Sequence, residues 1–391
     1  MKTKSLILTV AAGLFASASV LVGLQSCNKT GNSSPKPIGS LDSKKQTLSL
    51  STADATLTNW FKRNANSLGS VAYDQAFSVP LSSGKLYWLF GDSFYNDLDG
   101  AGTVPCYTST TGPAFNYHNS VIMQPSVTNF TQTSAPNELY LGSPQLYTDF
   151  PHLYFWPCTG VEIGTKIYTY LVENNDTTGY VGGKLGILNE SNNTVDYTTT
   201  VLPNVNGISF NIGMFKISTT VYVYGYKTTG VYGNTNIYVA KFSTSSPGTW
   251  TFWSGTAWVS SAASAAVIAT TPSNAVSVSY IPSKSKFVLV YCAWNFGCGT
   301  DDGIYGEAST SATGGFSAAT KIYDIPDRIG GNIPFFYTPL IHPEFDDTSN
   351  FEVTYCINYA TACVLPCTGS RANPDQYRPR AIKVPYTLLG L

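Results

Sequence analysis

The sequence predicts an all-β protein, and both its composition and its pattern of short apolar runs indicate this. Of the 391 residues, 26 are Tyr, 20 are Phe and 34 are Gly, whereas only 12% are charged. Aromatic residues favour strands, and glycine favours the turns between them. Long runs of Ala, Leu, Glu and Lys, which would indicate helices, do not occur. At most one helical turn is expected, near residues 260–271.

A hairpin pattern of apolar strand, short polar turn and aromatic-rich strand occurs five times. The copies read AFSVPL-SSGK-LYWLFGD, TGVEI-GTK-IYTYLVEN, SFNIGMFKI-STT-VYVYGYK, AVSVSYI-PSKSK-FVLVYCAW and TPLIHPEF-DDTSN-FEVTYCIN. Each copy is followed by a weaker third strand, and a repeat of roughly 50 to 70 residues is typical of radial arrays. The pattern predicts a five-bladed β-propeller in a single domain. A β-sandwich is the structural alternative, although it rarely repeats a hairpin so evenly.

The N-terminus predicts an export signal. Two lysines precede an apolar, small-residue run that ends in Leu-Gln-Ser-Cys27. An ordinary signal peptide or a membrane span are the alternatives, but the run is short and the cysteine is otherwise unexplained. We therefore expect a bacterial lipoprotein whose signal, residues 1–26, is removed and whose Cys27 is lipidated.

The residues after Cys27 predict a flexible tether over 27–58, because they are polar, rich in Pro, Gly and Ser, and without periodicity. The propeller is expected over 59–391. Such a protein would lie in the bacterial cell envelope, periplasmic or on the outer surface, and would contact the membrane through its lipid only.

Several function classes are disfavoured. The net charge is −1, and 22 Lys and Arg are spread thinly, so no basic face for nucleic acid can be assembled. No Ser-His-Asp order, phosphate-binding loop or HExxH segment occurs, which leaves serine hydrolases, nucleotide enzymes and zinc proteases without support.

Two acids flank the first hairpin: Asp74 stands just before its first strand and Asp92 just after its second. Because the ends of a hairpin meet, both carboxylates are expected at one end of the blade. Tyr73 and Phe77 would desolvate Asp74, and burial raises the pKa of a carboxyl group. Hydrolysis of a glycoside needs one protonated and one ionised carboxyl, so this pair is the leading catalytic hypothesis. Asp92 has an alternative role as a turn cap.

The same propeller geometry places further side chains around one mouth. Glu173 follows the second blade's hairpin and is a candidate third catalytic carboxylate. Aromatic rings and planar polar groups suit sugar binding. The expected substrate-binding residues are Asn119, Trp156, Trp294, Asn295, Asn358 and Tyr359, and packing between blades is the alternative for the two tryptophans.

No cofactor is expected, and no metal ligand is assigned. A structural calcium ion is conceivable where Asp301 and Asp302 lie in a Gly-rich loop, with solvated turn residues as the alternative. Cys292 and Cys298 are close enough in sequence for a disulfide, whereas Cys356, inside an apolar strand, predicts a buried thiol.

Further motifs resemble a known group. Asp74 with LYWLFGDSF, Phe155-Trp156-Pro157, the Trp250 to Trp258 segment, His342-Pro343-Glu344-Phe345 and Tyr377-Arg378-Pro379-Arg380 resemble segments of bacterial five-bladed propellers of the glycoside-hydrolase-like type. The likeness spans about Val71 to Val384. Related propellers cleave arabinose- and xylose-containing polysaccharides with two or three carboxylates in a central depression.

This chain departs from that pattern in the first and second blades. Tyr73-Asp74-Gln75 stands where the group has Gly-Asp-Gly, and Cys158-Thr159 stands where a Gly-Asp is expected. Glu344 is expected at the far end of its inner strand, paired with an arginine such as Arg378 or Arg380.

The sequence therefore predicts a carbohydrate-active surface lipoprotein whose partner is a poly- or oligosaccharide. Glycoside hydrolysis by a carboxylate pair is the leading function. A glycan-binding propeller without catalysis is the alternative, favoured by the missing second-blade acid. A scaffold for protein partners would instead predict an apolar mouth.

Overall fold

A computed structural model of the chain describes residues 50–62, 70–95, 99–105, 118–131, 138–139, 153–175, 178–189, 194–196, 202, 205–229, 234–292, 301–329, 331–358 and 371–391. The predicted Cys27, the signal and most of the tether lie outside these residues.

The described secondary structure is nearly all β. The first strands are β1 Thr52–Ala53, β2 Ser70–Tyr73, β3 Phe77–Pro80, β4 Leu86–Phe90, β5 Ser93–Tyr95, β6 Val104–Pro105, β7 Ser120–Gln124, β8 Glu138–Leu139, β9 Leu153–Ile163, β10 Lys166–Asn175, β11 Gly179–Asn189 and β12 Thr194–Asp196. The next are β13 Ser209–Ile217, β14 Thr220–Thr228, β15 Thr235–Ser243, β16 Thr251–Trp253, β17 Trp258–Val259, β18 Ala269–Thr271 and β19 Val276–Ile281. The last are β20 Lys286–Cys292, β21 Gly303–Ser309, β22 Thr320–Asp324, β23 Phe335–His342, β24 Asn350–Asn358, β25 Arg371–Ala372 and β26 Pro379–Pro385.

Within the described residues, helical structure is confined to short pieces. One α-helix, α1, spans Ala55–Trp60, and 3₁₀ turns occupy Ala262–Ser264, Pro282–Lys284, Pro343–Phe345, Pro374–Gln376 and Tyr386–Leu389. The first of these 3₁₀ turns lies where the sequence predicted a single helical turn. Within the described residues, no helix is long and apolar enough to span a membrane.

The strands form five blades around one axis, which confirms the predicted five-bladed propeller. Their orders from the axis outward are β3-β4-β7-β8, β9-β10-β11-β12, β13-β14-β15-β16-β17 with β18 also on β15, β19-β20-β21-β22, and β23-β24-β26-β1. Each of the five predicted hairpins is the inner pair of one blade. The β-sandwich alternative is therefore wrong.

The N-terminal segment completes the fifth blade. Thr52 and Ala53 pair with Lys383 and Ile382 of β26, so the blade's outermost strand comes from the beginning of the chain. Helix α1 follows, with Asp54 as its N-cap accepting hydrogen bonds from two backbone N–H groups. Pairing and capping therefore include Thr52 to Trp60 in the described fold, although the sequence predicts residues up to 58 as tether.

Helix α1 also covers the junction between the fifth and first blades. Trp60 and Phe61, both buried, contact the ring of Trp88 at centroid distances of 5.4 and 5.1 Å. Aromatic contacts of this kind contribute about 0.5–1.5 kcal/mol beyond burial. The segment therefore closes the ring of blades by both hydrogen bonding and packing.

Candidate functional site

The five inner strands run in the same direction along the axis, so the propeller has two distinct ends. We call the end at which the inner strands begin the Asp74 end, since Asp74 directly precedes β3. We call the opposite end, where β23 finishes at His342 and Glu344 follows, the Glu344 end.

Asp74 and Asp92 lie side by side at the Asp74 end. The Asp74 backbone N–H donates to the carbonyl of Asp92 (3.2 Å), and the Gly91 N–H donates to the carbonyl of Asp74 (3.1 Å). These bonds extend the first hairpin beyond β3 and β4. The two acids, distant in sequence number, are thereby neighbours across one strand pair.

Asp74 occupies an enclosed position. Its Oδ2 accepts from the Tyr337 hydroxyl (3.4 Å), while its Oδ1 is buried without a hydrogen-bond partner among the described residues. A Cβ on Gly91 would lie only 2.4 Å from this Oδ1, so the carboxyl needs glycine there. Burial, and then the charge of Asp92, raise the pKa of Asp74 well above its ordinary value, although hydrogen bonds from Tyr377 and Tyr337 oppose this.

Asp92 is held by two side-chain donors. Its Oδ1 lies 2.9 Å from Trp156 Nε1 and 2.8 Å from His118 Nδ1. The His118 ring stacks on Tyr154 at 3.6 Å, which fixes the imidazole orientation. The Asp92 side chain keeps 16% of its surface exposed. Asp92 is thus an oriented carboxylate with residual access, in contrast to its enclosed neighbour.

Backbone irregularities gather at this end. Inner-strand pairing shifts register in the second blade between Thr169 and Leu171, in the third between Ser209 and Gly213, and in the fifth between Tyr337 and Leu340. Bulges are over-represented beside active sites because they re-aim side chains.

Two residues beside these acids also adopt positive φ. Gln75 has φ 60° and Thr338 has φ 48°, and a β-branched residue such as threonine rarely tolerates this region. Strain of this kind persists only where the surroundings enforce it, and it concentrates at functional sites.

A series of contacts between uncharged groups of the second, third and fourth blades starts beside Asp74. Cys158 of the second blade lies near enough to Asp74 to feel its charge and interacts with Asn211 of the third, and burial raises the pKa of its thiol. Asn211 and Asn274 both interact with the Tyr226 hydroxyl. These positions supply amides and a thiol where a catalytic triad would need a third acid.

Sequence reasoning missed several of these residues. The sequence did not predict a role for Gln75, His118, Asn211 or Tyr337. Two of them carried a signal, because an asparagine within the apolar run SFNIG (Asn211) and a histidine beside Asn119 (His118) are unusual. Asn119 itself donates from Nδ2 to the carbonyl of Phe155 (2.9 Å), which ties the first blade to the second.

Glu173 lies apart from the pair. It is opposite Phe155 in the strand register, and successive side chains alternate faces, so it projects from the face of blade two opposite to Trp156. There it is buried and forms an ion pair with Lys184 at 2.7 Å.

The other predicted residues are only partly within the described structure. Asn358 is half-buried and ends β24, opposite Phe335. Trp294, Asn295 and Tyr359 lie outside the described residues. Their predicted sugar contacts stay predictions.

The Asp301–Asp302 loop is occupied by protein contacts. Asp301 accepts from the Gly303 N–H (2.9 Å) and the Tyr305 hydroxyl (3.0 Å), and Asp302 pairs with Arg328. Across the part of the chain that the structure describes, no three His, Cys, Asp or Glu side chains converge as metal ligands would.

Two further expectations concern cysteines and Glu344. Cys292 is a buried free thiol, and Cys298, with which the sequence allows a disulfide, lies outside the described residues. Cys356 is the buried thiol that the sequence predicted. Among the described residues the ion-pair partner of Glu344 is His342 and not the expected arginine. Arg378 binds Asp375, and Arg380 binds Asp327.

A cavity of about 360 Å³ occupies the axis towards the Glu344 end. All five inner strands line it, mainly through their second halves, together with His342 and Glu344. Neither Asp74 nor Asp92 belongs to its lining. The acid pair and this cavity are therefore separate features of the axis.

Comparisons with known proteins agree with this architecture. No curated protein sequence matches the chain. A crystal structure described as a "putative hydrolase" from Bacteroides ovatus ATCC 8483 is 17% identical with a TM-score of 0.56, covering 85% of this chain and 89% of that chain. At this identity the likeness shows the fold alone.

Glycoside hydrolases are also among the structural neighbours. The catalytic domain of a GH62 α-L-arabinofuranosidase from Coprinopsis cinerea is 12% identical with a TM-score of 0.44, covering 82% of this chain and 98% of that one. A GH43 arabinoxylan arabinofuranohydrolase from Bacillus subtilis is 14% identical with a TM-score of 0.44, covering 81% and 63%. The family model named "Domain of unknown function (DUF5005)" matches residues 54–386, and the chain belongs to that family.

Proposed function

We propose that this propeller binds a carbohydrate at the Asp74 end and hydrolyses a glycosidic bond with the pair Asp74 and Asp92. The observation that carries the proposal is that these two carboxyls are neighbours in contrasting surroundings. Asp74 is enclosed with a raised pKa, and Asp92 is oriented by two N–H donors. Neighbouring carboxyl groups in contrasting surroundings, one of them with a raised pKa, are typical of acid–base catalysis.

The roles follow from the surroundings. Asp74, which holds its proton to higher pH, would protonate the glycosidic oxygen as the leaving group departs. Asp92 would supply the negative charge that stabilises the oxocarbenium-like transition state. Water would then add to the anomeric carbon and give a proton back to the Asp74 carboxylate. Trp156 and His118 would keep the Asp92 carboxylate in one orientation, so that it does not reorganise during the reaction.

Unpartnered polar atoms near the pair suit a sugar. Besides Asp74 Oδ1, the oxygens Gln75 Oε1, Asn119 Oδ1 and Asn211 Oδ1 are buried without a hydrogen-bond partner in the described residues. Each is an acceptor, and an unmade hydrogen bond to a buried acceptor costs about 1–3 kcal/mol. A polyhydroxylated ligand would supply O–H donors to such a set.

A second function, glycan binding without hydrolysis, is favoured by a different observation. The axial groups of the next three blades are Cys158, Asn211 and Asn274, which are uncharged. A site that lacks a further acid at these positions would still form hydrogen bonds to hydroxyl groups. Binding without turnover would then be its activity.

One experiment separates the two functions. A soluble form beginning at residue 50 would be incubated with arabinan, xylan and other plant and microbial glycans, beside the variants Asp74→Asn and Asp92→Asn. Released sugar that disappears in both variants supports hydrolysis, and Glu173→Gln tests whether a third acid takes part. Asp301→Asn is a control distant in sequence and held in its own loop.

The remaining outcomes are equally informative. Retained binding with no released sugar from the unmodified protein would favour the glycan-binding function. If no glycan binds or is cleaved, or if both Asp variants keep full activity, the proposal is wrong.

The proposed cellular location is the bacterial envelope, with the chain anchored by lipid at Cys27. It is supported by the apolar segment that ends in Leu-Gln-Ser-Cys27. Metabolic labelling with a fatty acid should mark the full-length chain and not the variant Cys27→Ala. Equal labelling of both would exclude this anchor.

A further inference from the structure

The cavity at the Glu344 end contains a carboxylate oxygen that accepts no hydrogen bond from the described residues. The Glu344 side chain is 7% exposed, it lines the cavity, and its Oε1 is buried with no hydrogen bond. Its ion-pair partner among the described residues is His342, whose Nδ1 lies 3.4 Å from that oxygen. A buried carboxylate in this condition is destabilising unless something pairs with it.

His342 links Glu344 to a serine of the neighbouring first blade. Its Nδ1 is 2.6 Å from Ser78 Oγ of the first blade, and its Nε2 is 2.8 Å from Thr354 Oγ1. Ser78 and Glu344 therefore face the same ring nitrogen. The adjacent carboxylate favours a proton on Nδ1, which then donates towards Ser78, while Nε2 accepts from the Thr354 hydroxyl.

This arrangement argues against a serine nucleophile. A catalytic base must receive the serine proton on the nitrogen that faces it, with the orienting acid on the other nitrogen. Here both partners share Nδ1. The arrangement instead leaves the Ser78 O–H and the Glu344 carboxylate available to a molecule in the cavity.

The surroundings of Glu344 are acidic. Its charge is one cause of the raised pKa of Asp346, which reaches about 7 chiefly through burial. Among the described residues that line the cavity, Lys216 is the one Lys or Arg, and its Nζ donates to the backbone carbonyl of Glu162 (3.1 Å). Uncompensated negative charge in a partly enclosed space favours a cationic ligand.

The rest of the cavity suits a compact organic body. Phe77, Met214, Leu340 and Tyr280 contribute apolar and aromatic surface. Each inner strand is the end strand of its sheet, so backbone N–H and C=O groups also face the axis. A volume of about 360 Å³ lies in the lower range of small-molecule sites, which span about 300–1,000 Å³.

We propose that this cavity is a second ligand site, separate from the acid pair, for a molecule of monosaccharide size that carries a primary ammonium group beside hydroxyl groups. The ammonium would pair with Glu344, and a neighbouring hydroxyl would accept from Ser78. Amino sugars are the representative class. The site does not depend on glycan hydrolysis at Asp74 and Asp92.

Calorimetric titration with matched sugars tests this directly. Glucosamine, galactosamine and mannosamine differ from glucose, galactose and mannose by the ammonium group, which can form a charge-assisted hydrogen bond to the buried carboxylate. At least one amino sugar is expected to bind about tenfold or more tightly than its neutral parent. Glu344→Gln should abolish that preference, and Ser78→Ala should weaken binding.

The acid-pair variants separate the two proposals. Asp74→Asn should leave amino-sugar binding unchanged, even if it abolishes glycan hydrolysis. Folding of Glu344→Gln would be checked by thermal denaturation, and Ser78→Ala provides an independent test. Equal binding of amino and neutral sugars, binding of neither, or a preference that survives in Glu344→Gln would overturn the proposal.

Discussion

Replacement of Glu352 by Gln should stabilise the protein at neutral pH. Glu352 is 2% exposed on β24, opposite His342 in the register, and its Oε1 has no hydrogen-bond partner in the described structure. Burial, followed by the charge of Asp54, raises its pKa from 4.5 to about 9. At pH 7 it is therefore protonated in the fold and ionised in the unfolded chain.

The magnitude follows from that difference. Below about pH 4.5 both states are protonated, so Glu352 causes no pH-dependent loss. Between pH 4.5 and pH 7 the gap is 2.5 pH units, and each unit corresponds to about 1.36 kcal/mol. The free energy of unfolding should thus lose about 3 kcal/mol by pH 7 and continue to fall until about pH 9. Gln, which cannot ionise, avoids this loss.

Urea unfolding of both proteins at pH 5, 7 and 9 measures the effect. The stability advantage of Glu352→Gln should be small at pH 5 and grow with pH. Asp347→Asn is the matched control of opposite sign. Burial raises the pKa of Asp347, but hydrogen bonds from Ser349 and Asn350 outweigh this effect, so the pKa lies below its ordinary value. Asp347→Asn should therefore be less stable than the unmodified protein at neutral pH, and the difference should disappear on acidification. Parallel pH profiles for Glu352→Gln and the unmodified protein would refute the reasoning.

Three other predictions concern the acid pair, the ring closure and the thiols. Gly91→Ala should lower the free energy of unfolding by about 1–3 kcal/mol, because the new Cβ would meet Asp74 Oδ1. Gly182→Ala is the control, since a Cβ there meets open space and should leave stability unchanged. Equal denaturation midpoints for the two variants would contradict this. Asp54→Ala should cost about 1 kcal/mol through the lost cap of α1, measured by thermal unfolding, and an unchanged midpoint would show that the cap is dispensable. Cys158, Cys292 and Cys356 are buried free thiols and should react with a thiol reagent only after unfolding, so rapid labelling of the native protein at these positions would contradict the packing.

The predictions that succeeded rest on local interactions. The five hairpins were visible because strand residues alternate with short polar turns, and each turn joins neighbours in sequence. The proximity of Asp74 and Asp92 follows from the same rule, since the two ends of a hairpin must meet. Their placement at the same end of the first blade could therefore be predicted without any information about the other four blades.

The features that the sequence did not predict depend on closure of the ring. Residues 50–58 carry a tether-like composition, yet Thr52 and Ala53 become a strand because β26 offers them an unpaired edge. Glu344 was expected to find an arginine, but Arg378 and Arg380 are engaged elsewhere. Which partner a buried charge meets depends on the packing of distant strands.

The sequence by itself determined the strand pattern, the number of blades and the adjacency of the two acids. These features depend on short-range periodicity and on turn residues, which involve only neighbours in the chain. Only the tertiary structure decided what surrounds them. Ser78 meets His342 across 264 positions, and Asp92 meets Trp156 across 64. Contacts of that separation form when the blades assemble around the axis, and no local pattern in the chain encodes them.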